Sequence, residues 1–291
     1  MKAQPECLPC VFKQALVTLK HITNDKQLTE LILRNLCKVY SEKSFDTTPA
    51  YYSQAAYDII SEMSGNADPY FNEKKKFNEL AEKMTPECLN ALANSSDPLL
   101  TGAHLAVAGN IIDLGIGGGL DIHGTLATAL EIPFKINHIE KLREGLEKSS
   151  VLLYIGDNAG EIVFDKLFIE TIKKLFPKLK ITFSVKSKPI INDATMNDAR
   201  DVGMTDVCRV IETGGNLIGA PLEFVGRNFL EEFNSADIII AKGHGNFETL
   251  SEITDKYIFF ILKAKCELVA NELGVSLGDS VLKSINARSF A

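Results

Sequence analysis

The chain has 291 residues, of which 45% are hydrophobic, so it can bury a sizeable core and form two subdomains. Its formal net charge is -7 at pH 7, and its only basic run, Lys74-Lys75-Lys76, is typical of a solvated helix face. This charge balance excludes bulk attraction to DNA or RNA. The first residues lack the apolar core of a signal peptide, so a cytoplasmic location is expected.

The first part of the chain, to about residue 136, is predicted to be helical. Apolar residues recur at three- and four-residue spacing in the segments 11–19, 28–40, 55–63, 71–83 and 99–114. Four prolines are expected at or near helix starts, where the missing N–H costs least: Pro49, Pro69, Pro86 and Pro98. A glycine cluster at 115–119 is expected to end the last of these helices.

The segment 99–120 could be mistaken for a membrane span, because Asp113 is its only formally charged residue. It also contains six glycines, and the strands that follow require a sheet, so a buried helix is the better interpretation and no membrane partner is expected. Asn110 and Asp113 lie one helical turn apart, so both can face one cleft. The alternative is a polar tether between the helical region and the sheet.

From residue 149 the pattern changes to short apolar strands that alternate with helices. Strands are predicted at 151–155, 181–185, 207–211, 238–241 and 258–262, the βαβ arrangement of a parallel sheet. The predicted fold class is therefore α/β: a Rossmann-like parallel sheet with flanking helices plus an N-terminal all-helical region. The expected boundaries are 1–140 for the helical region and 141–291 for the α/β domain.

Three of these strands end in acids, amides and lysines. Asp157 and Asn158 follow the first strand, the segment 186–198 follows the second, and Lys242 and the glycines beyond it follow the fourth. Carboxylate and amide oxygens suit Mg²⁺ or Mn²⁺, lysines can neutralise phosphate, and glycines let backbone N–H groups approach an anion. The alternative is a set of independent caps, Asx turns and surface lysines. Together the three strand ends favour a metal and phosphate site.

The motifs are recognisable in their order and spacing. They are Glu6-Cys7-Leu8-Pro9-Cys10, Asp68-Pro69-Tyr70 with Lys74 and Asn78, Gly109-Asn110-Ile111-Ile112-Asp113, 156–161, 189–195 and 242–248. With them the whole chain resembles the damage-control phosphatase family, also called domain of unknown function 89, in its branch with an N-terminal CxxC. The resemblance implies a divalent-metal-dependent phosphoric monoester hydrolase that acts on small phosphorylated metabolites, such as sugar phosphates or related damaged or side-product phosphates.

The resemblance also implies roles for individual residues. The metal, which could be Mg, Mn, Co or Ni, is expected at Asp157, Asn158 and Asp193. Catalytic roles are expected for Asp157 and Lys242, and an attacking water is favoured over the Asp157 carboxylate because one group cannot readily be both ligand and nucleophile. The expected substrate-binding residues are Asn110, Asp113, Lys188, Gly243, Gly245, Asn246 and Glu248. Asn246 and Glu248 could instead cap the helix that follows Lys242.

Six cysteines in a chain without a signal peptide argue against a disulfide framework. Cys7 and Cys10 have the spacing of a metal or redox pair, and Cys266 is the cysteine that the family pattern associates with them. A second metal or redox site at these three residues is therefore a hypothesis. Because helix N-termini lower thiol pKa values, at least one of the pair is expected to be reactive unless it binds a metal.

Two other functions remain open at this point. A nucleotide- or S-adenosylmethionine-dependent transferase would suit a Rossmann-like sheet, but the sequence lacks a glycine-rich fingerprint. A non-catalytic metal or redox sensor could use Cys7 and Cys10. The sequence specifies neither the natural substrate, nor the physiological metal, nor the oligomeric state.

Overall fold

The computed structural model describes residues 1–112 and 130–285, with only the backbone for the last three residues of the first range. The side chains of Asn110 and Asp113 and the glycine cluster at 115–119 lie outside this description, so their predicted roles stay predictions.

Five helices form the N-terminal region: α1 (Cys7–Ile22), α2 (Lys26–Glu42), α3 (Pro49–Ser64), α4 (Phe71–Asn94) and α5 (Pro98–Ile112). The start of α2 is set by Asp25, whose side chain accepts from two backbone N–H groups, and that of α3 by Thr48. Pro49 occupies the first turn of α3 as predicted, but Pro86 lies inside α4, where no helix begins. The prediction for Pro86 was wrong because α4 continues through this position from Phe71 to Asn94.

The remaining elements alternate between strands and helices. They are β1 (Ile136–Asn137), α6 (Ile139–Lys148), β2 (Val151–Ile155), α7 (Glu161–Leu175), β3 (Lys180–Val185), α8 (Met196–Asp201), α9 (Met204–Val207), β4 (Arg209–Glu212), α10 (Arg227–Ser235), β5 (Ile238–Lys242), α11 (Gly243–Leu250), β6 (Ile258–Lys263), α12 (Glu267–Leu273) and β7 (Ser280–Ile285).

The seven strands of the described chain form one sheet in the order β1-β7-β6-β5-β2-β3-β4. All neighbours run parallel except β6 and β7, which are antiparallel. Successive residues of the central strands face opposite sides: Leu152 and Tyr154 join a core with α4, α5 and α7, while Leu153 and Ile155 join a core with α10 and α11. The fold is thus a mostly parallel sheet between helical layers, with a helical N-terminal region, as predicted.

All five predicted strands are present, and two further strands were missed. The third predicted strand, 207–211, begins two residues later than expected, as β4, because Val207 ends a short helix. Strand β1 has only two residues, too few for a pattern, and it falls inside the segment expected to be all helical. The sheet therefore begins before the expected boundary at residue 140. No described helix is long and apolar enough to cross a membrane.

The strand order defines where a ligand is expected. From β2 the chain moves outward to β3 and β4 on one side, then returns to β5 and β6 on the other side. The carboxyl ends of β2 and β5 therefore flank the point at which the order reverses. Open α/β sheets bind ligands in the crevice at such a point. The side chains that follow β2, β3 and β5 meet at this edge.

Candidate active site at the strand ends

The turn after β2 pairs with the loop after β3. Ala194 N donates to Asp157 O at 2.8 Å, and Ala159 N donates to Asn192 O at the same distance. Between these bonds Asn158 lies opposite Asp193 in an antiparallel bridge. The backbone thus brings together Asp157, Asn158 and Asp193, the three residues predicted as metal ligands.

The polar atoms of these side chains divide into a bonded and a free set. Asn158 Nδ2 donates to Asp157 Oδ2 at 3.1 Å and to Glu161 Oε1 at 3.0 Å, and Lys186 Nζ lies 3.5 Å from Asp193 Oδ2. Within the described residues no hydrogen bond reaches Oδ1 of Asp157, of Asn158 or of Asp193. Because Asn158 Nδ2 faces the carboxylates, its Oδ1 is the atom left for a ligand.

Burial makes the two carboxyl groups costly to ionise. It raises the pKa of Asp157 well above its usual value, and the charges of Glu161 and Asp193 raise it further. Burial also raises the pKa of Asp193, although the ammonium of Lys186 opposes this effect. Lys186 is itself buried and also donates to Gly219 O. The carboxylates therefore lack sufficient positive charge from the protein alone.

Lys242, the predicted catalytic lysine, is completely buried at the end of β5. Its Nζ donates to Ala106 O at 2.6 Å, to Asp165 Oδ1 at 2.9 Å and to Glu161 Oε2 at 3.2 Å. Burial alone would lower the pKa of Lys242, but the two carboxylates outweigh it and the pKa is raised. In this conformation the Lys242 ammonium donates all three of its protons to protein oxygens. It therefore has no proton left to donate to a phosphate.

The first turn of α11 lies directly against Asp157. Gly243 has φ +76°, and a Cβ added there would lie 1.8 Å from Asp157 Oδ2, so only glycine fits. Asn246 donates to Lys242 O at 2.7 Å and to Gly156 O at 3.1 Å, which ties β5 to the end of β2. Among residues 1–112 and 130–285, its Oδ1 has no hydrogen-bond partner. A Cβ at Gly245 would lie 2.8 Å from the side chain of Ile218. These three predicted substrate residues thus line or support the site.

The helical region contributes a buried amide that joins both loops. Asn78, on α4, accepts from Gly160 N at 2.6 Å and donates to Asp198 Oδ1 at 3.0 Å. Asp198 in turn accepts from Thr195 N at 2.9 Å and caps α8. Lys74, one turn before Asn78, lies 3.9 Å from Asp198 Oδ2. The loop after β2 and the loop after β3 are therefore held by one side chain.

Lys188, a predicted substrate residue, is exposed on the loop after β3. It lines a cavity of about 380 Å³ against α1 and α3, whose other polar side chains are Thr18, Tyr57, Asp58, Ser61, Glu62, Tyr70 and Asn216. Ile191 in this wall has φ 46°, a left-handed conformation that is uncommon for a branched residue. Backbone strain of this kind concentrates at functional sites.

Glu248, another predicted substrate residue, lies near the three cysteines of the hypothetical second site, since its charge raises the pKa of Cys7, of Cys10 and of Cys266. Burial is the largest cause for all three thiols, and it raises the pKa of Glu248 itself to about 8. The raised pKa values run against the expectation of a thiol activated by a helix N-terminus, because burial is the largest cause of each shift.

The donor chemistry at the strand ends fits a hard divalent cation. Two carboxylates and an amide oxygen match Mg²⁺, which usually takes one or two carboxylates and keeps several waters. Within residues 1–112 and 130–285, no group of three or more His, Cys, Asp or Glu side chains is arranged to hold a metal ion. The set of Asp157, Asn158 and Asp193 contains only two such residues.

Two contributors were missed by the sequence analysis: Tyr154 and Asp165. Tyr154 looks like one more apolar residue of β2, and Asp165 looks like a solvated position of α7, yet both are buried. The one available signal is the spacing of Asp165 from Glu161, which is one helical turn on a helix that is otherwise apolar on that face.

The chain is similar to known proteins over nearly its whole length. Residues 3–281 match the damage-control phosphatase ARMT1-like domain. A damage-control phosphatase of Pyrococcus horikoshii is 37% identical (96% of each chain), and one of Archaeoglobus fulgidus is 32% identical (98% of this chain, 100% of the other). An uncharacterized protein of Methanocaldococcus jannaschii is 38% identical (97% and 95%).

The fold is shared as well. The crystal structure of a domain-of-unknown-function-89 protein from Pyrococcus horikoshii superimposes with a TM-score of 0.90 at 36% identity and covers 97% of this chain and 98% of that one. On the extent of the match and the identity to its relatives, the chain belongs to the damage-control phosphatase ARMT1-like family.

Proposed function

We propose that the protein is a divalent-metal-dependent phosphatase that hydrolyses small phosphorylated metabolites, and that Asp157, Asn158 and Asp193 hold the metal. Family membership supports phosphatase activity on damaged metabolites. The observation that carries the metal is the convergence of these three side chains at the point where the strand order reverses, each with an oxygen that accepts no hydrogen bond from the described residues.

The charge balance of the site supports the same proposal. Four buried or partly buried carboxyl groups, Asp157, Glu161, Asp165 and Asp193, face two buried ammonium groups, Lys186 and Lys242. If all six are ionised, these buried groups carry two negative charges in excess, and Lys265, which also acts on Asp157, is exposed and screened by solvent. A divalent cation neutralises such an excess, whereas a second anion alone would be repelled.

The protein groups divide the work of phosphate transfer. When bound, the cation supplies charge stabilisation to the phosphoryl oxygens. Asp157 and Asn158 would hold and orient it. The N–H groups in the first turn of α11, which have no intrahelical acceptor, can donate hydrogen bonds to phosphate oxygens beside Asp157. Lys188 is free to meet the rest of the substrate at the cavity wall. Lys242 donates to Glu161, which accepts from Asn158, so the lysine supports the metal ligands through Glu161.

A water is the favoured nucleophile. Asp157 Oδ2 accepts from Asn158 and is pressed against Gly243, so the carboxylate cannot turn to attack a phosphorus atom without breaking this packing. Its remaining oxygen is the one available to a metal ion. Asp157 is therefore expected to serve as a ligand and to orient the attacking water rather than form a phosphoenzyme.

The test is phosphate release from p-nitrophenyl phosphate and from a panel of phosphorylated metabolites, with Mg²⁺, Mn²⁺, Co²⁺ and Ni²⁺ in turn. Activity is expected with at least one metal, lost on chelation with EDTA and restored when the metal is returned. Hydrolysis that survives exhaustive chelation would contradict metal dependence. Absence of hydrolysis with every metal and substrate would contradict the proposed enzyme.

A further inference from the structure

An unbroken series of hydrogen bonds runs from the middle of the sheet toward the proposed metal ligands. It starts at Tyr154 on β2, whose hydroxyl donates to Asp165 Oδ1 at 2.6 Å. The same carboxylate oxygen accepts from Lys242 Nζ at 2.9 Å. All three side chains are completely buried. A tyrosine of the sheet core is thus bonded to the charged group that supports the site.

The second half of the series reaches Asp157. Lys242 Nζ donates to Glu161 Oε2 at 3.2 Å, and Glu161 Oε1 accepts from Asn158 Nδ2 at 3.0 Å. Asn158 Nδ2 also donates to Asp157 Oδ2 at 3.1 Å. We call the six residues Tyr154, Asp165, Lys242, Glu161, Asn158 and Asp157 the buried hydrogen-bond chain. It joins the core of the sheet to two of the three proposed metal ligands.

The packing of α5 and α7 fixes the positions of Glu161, Asp165 and Lys242. Glu161 and Asp165 lie one turn apart on α7, so both carboxylates face the Lys242 ammonium. Helix α5 covers them closely, since a Cβ added at Gly109 would lie 2.6 Å from Glu161 Cγ. Ala106 O, from the same helix, takes the remaining ammonium proton. Lys242 is therefore held on three sides and can move only if α5 or α7 moves.

The phenol oxygen of Tyr154 is not needed for packing. The ring lies among aromatic neighbours, with the ring of Phe183 at 5.5 Å and that of Phe168 at 6.3 Å, and a phenylalanine would fill the same space. The hydroxyl donates to Asp165, whose Oδ2 has no hydrogen-bond partner among the described residues. Without the hydroxyl, Lys242 is the one described partner left to the Asp165 carboxylate. The carboxylate can then rotate, which changes the direction from which it holds the ammonium against Glu161.

We propose that Tyr154 and Asp165 are positioning residues that act through Lys242 and Glu161 to orient the Asn158 amide, with its nitrogen toward the carboxylates and its oxygen toward the metal. This inference rests on the proposed metal site and extends it to two residues that touch neither metal nor substrate. Partners that orient metal ligands typically change metal affinity or activity by about 10–100-fold when removed.

The experiment measures Mn²⁺ binding to the full chain by titration calorimetry, with the electron paramagnetic resonance signal of free Mn²⁺ as a second readout. Tyr154→Phe is expected to weaken Mn²⁺ binding by about 10-fold, and Asp165→Asn by up to about 100-fold. Both variants are expected to remain folded by circular dichroism, because each keeps the shape of the buried side chain.

The matched control is Tyr40→Phe. Tyr40 is also a buried tyrosine whose hydroxyl donates a hydrogen bond of 2.6 Å, to Tyr52 O, but it lies in the helical region away from the strand ends. It is expected to lose thermal stability to a similar extent as Tyr154→Phe and to bind Mn²⁺ like the wild type. A merely structural role for Tyr154 would make the two variants behave alike in both measurements.

A double variant tests the route of the effect. If Tyr154 acts through Asn158, then adding Tyr154→Phe to Asn158→Ala is expected to weaken Mn²⁺ binding no further, because the oriented amide is already gone. Wild-type Mn²⁺ affinity in Tyr154→Phe, or full additivity with Asn158→Ala, overturns the inference while metal-dependent hydrolysis by the wild type still stands. A wild type that binds no Mn²⁺ overturns the inference as well, and only then does the metal part of the proposed function fail with it.

Discussion

Two groups of potential metal ligands lie at the two ends of one short helix, α11. The strand-end cluster, Asp157, Asn158, Asp193, Glu161 and Lys242, touches its first residue, Gly243. The thiol cluster, Cys7, Cys10, Cys266 and Glu248, surrounds its sixth residue, Glu248. Sequence spacing pointed to the strand-end residues and to the Cys7 and Cys10 pair, the family resemblance added Cys266, and Glu248 was expected in the substrate site. The structure organises the two clusters very differently.

In the strand-end cluster, acids are interleaved with ammonium groups and an amide, and hydrogen bonds fix which oxygen atoms remain free. In the thiol cluster, four acidic groups face one another. Burial and mutual repulsion raise the pKa values of Cys7, Cys10 and Cys266, which keeps the thiols protonated at neutral pH. The difference teaches that CxxC spacing supplies candidate ligands, whereas a metal site also needs supporting partners that orient them.

The largest expected effect comes from Asp157→Asn, which removes a carboxylate from the strand-end cluster and keeps its shape. Metal-dependent hydrolysis should fall by more than about 100-fold, since even residues that only support metal ligands cost about 10–100-fold. Stability of the metal-free protein should rise by about 1–2 kcal/mol, because an incompletely compensated charge is removed. Phosphate release measures the loss of activity, and thermal unfolding in EDTA measures the stability of the metal-free protein. Lower stability of the metal-free variant would contradict the charge argument.

The next effect separates crowding from backbone strain in the same cluster. Gly243→Ala places a methyl group against Asp157 Oδ2 and should displace that carboxylate, with an activity loss of about 100-fold, the scale for a misplacement of about 1 Å. Gly65→Ala is the matched control, because Gly65 has φ +68° and open space around its Cβ position. It should cost about 1 kcal/mol of stability from strain alone and leave activity intact. Equal activity of the two variants would contradict the close approach.

A smaller effect is expected in the thiol cluster and depends on pH. Burial raises the pKa of Glu248 to about 8, above the 4.5 of an unperturbed glutamate, so the folded state binds more protons than the unfolded state between these values. Wild-type stability should therefore fall as the pH rises from about 4.5 to 8. Glu248→Gln removes this pH-dependent contribution. The free energy of unfolding of the variant relative to the wild type should therefore be about 1–3 kcal/mol higher at pH 8.5 than at pH 5. Urea unfolding at both pH values measures it; a constant difference between the two proteins would contradict the assignment.

The smallest effect concerns catalysis in a variant that changes both thiols of the N-terminal pair. Cys7→Ser with Cys10→Ser should keep kcat within about twofold, because phosphate transfer runs on oxygen ligands and needs no thiolate. Wild-type Cys7 and Cys10 should react slowly with iodoacetamide at pH 7, since their pKa values are raised. Assays of the folded, Mn²⁺-loaded variant and mass spectrometry of the alkylated protein check both points. Loss of turnover would place the thiols in the active site.

Much of the fold could be predicted because its signals are local. Buried strands such as β2 and β5 are continuous apolar runs, and the parallel arrangement then brings their carboxyl ends to one edge. The meeting of Asp157 with Asp193 follows from this rule. Strand β7 was missed because its sequence is not a continuous apolar run, only its first half is buried, and its antiparallel pairing with β6 is not part of the βαβ repeat.

The support of the site could not be predicted, because it depends on contacts distant in sequence. Lys242 was placed at the right edge, but its burial under Ala106, 136 residues earlier, is set by the packing of α5. Asn78 joins two loops 82 and 120 residues away. Polar residues on an otherwise apolar face are the one local sign of such contacts, and that sign does not identify the partner.

The same strand order has a consequence for how copies of this protein meet. A sheet that is not closed into a barrel exposes unpaired N–H and C=O groups along its outer strands, and a second chain could add to them. Here the outer strands are the shortest of the described sheet, with two residues in β1 and four in β4. Strand β4 also carries the exposed charges of Arg209 and Glu212. The edges therefore offer too little backbone for strand addition, which protects a long parallel sheet from aggregation.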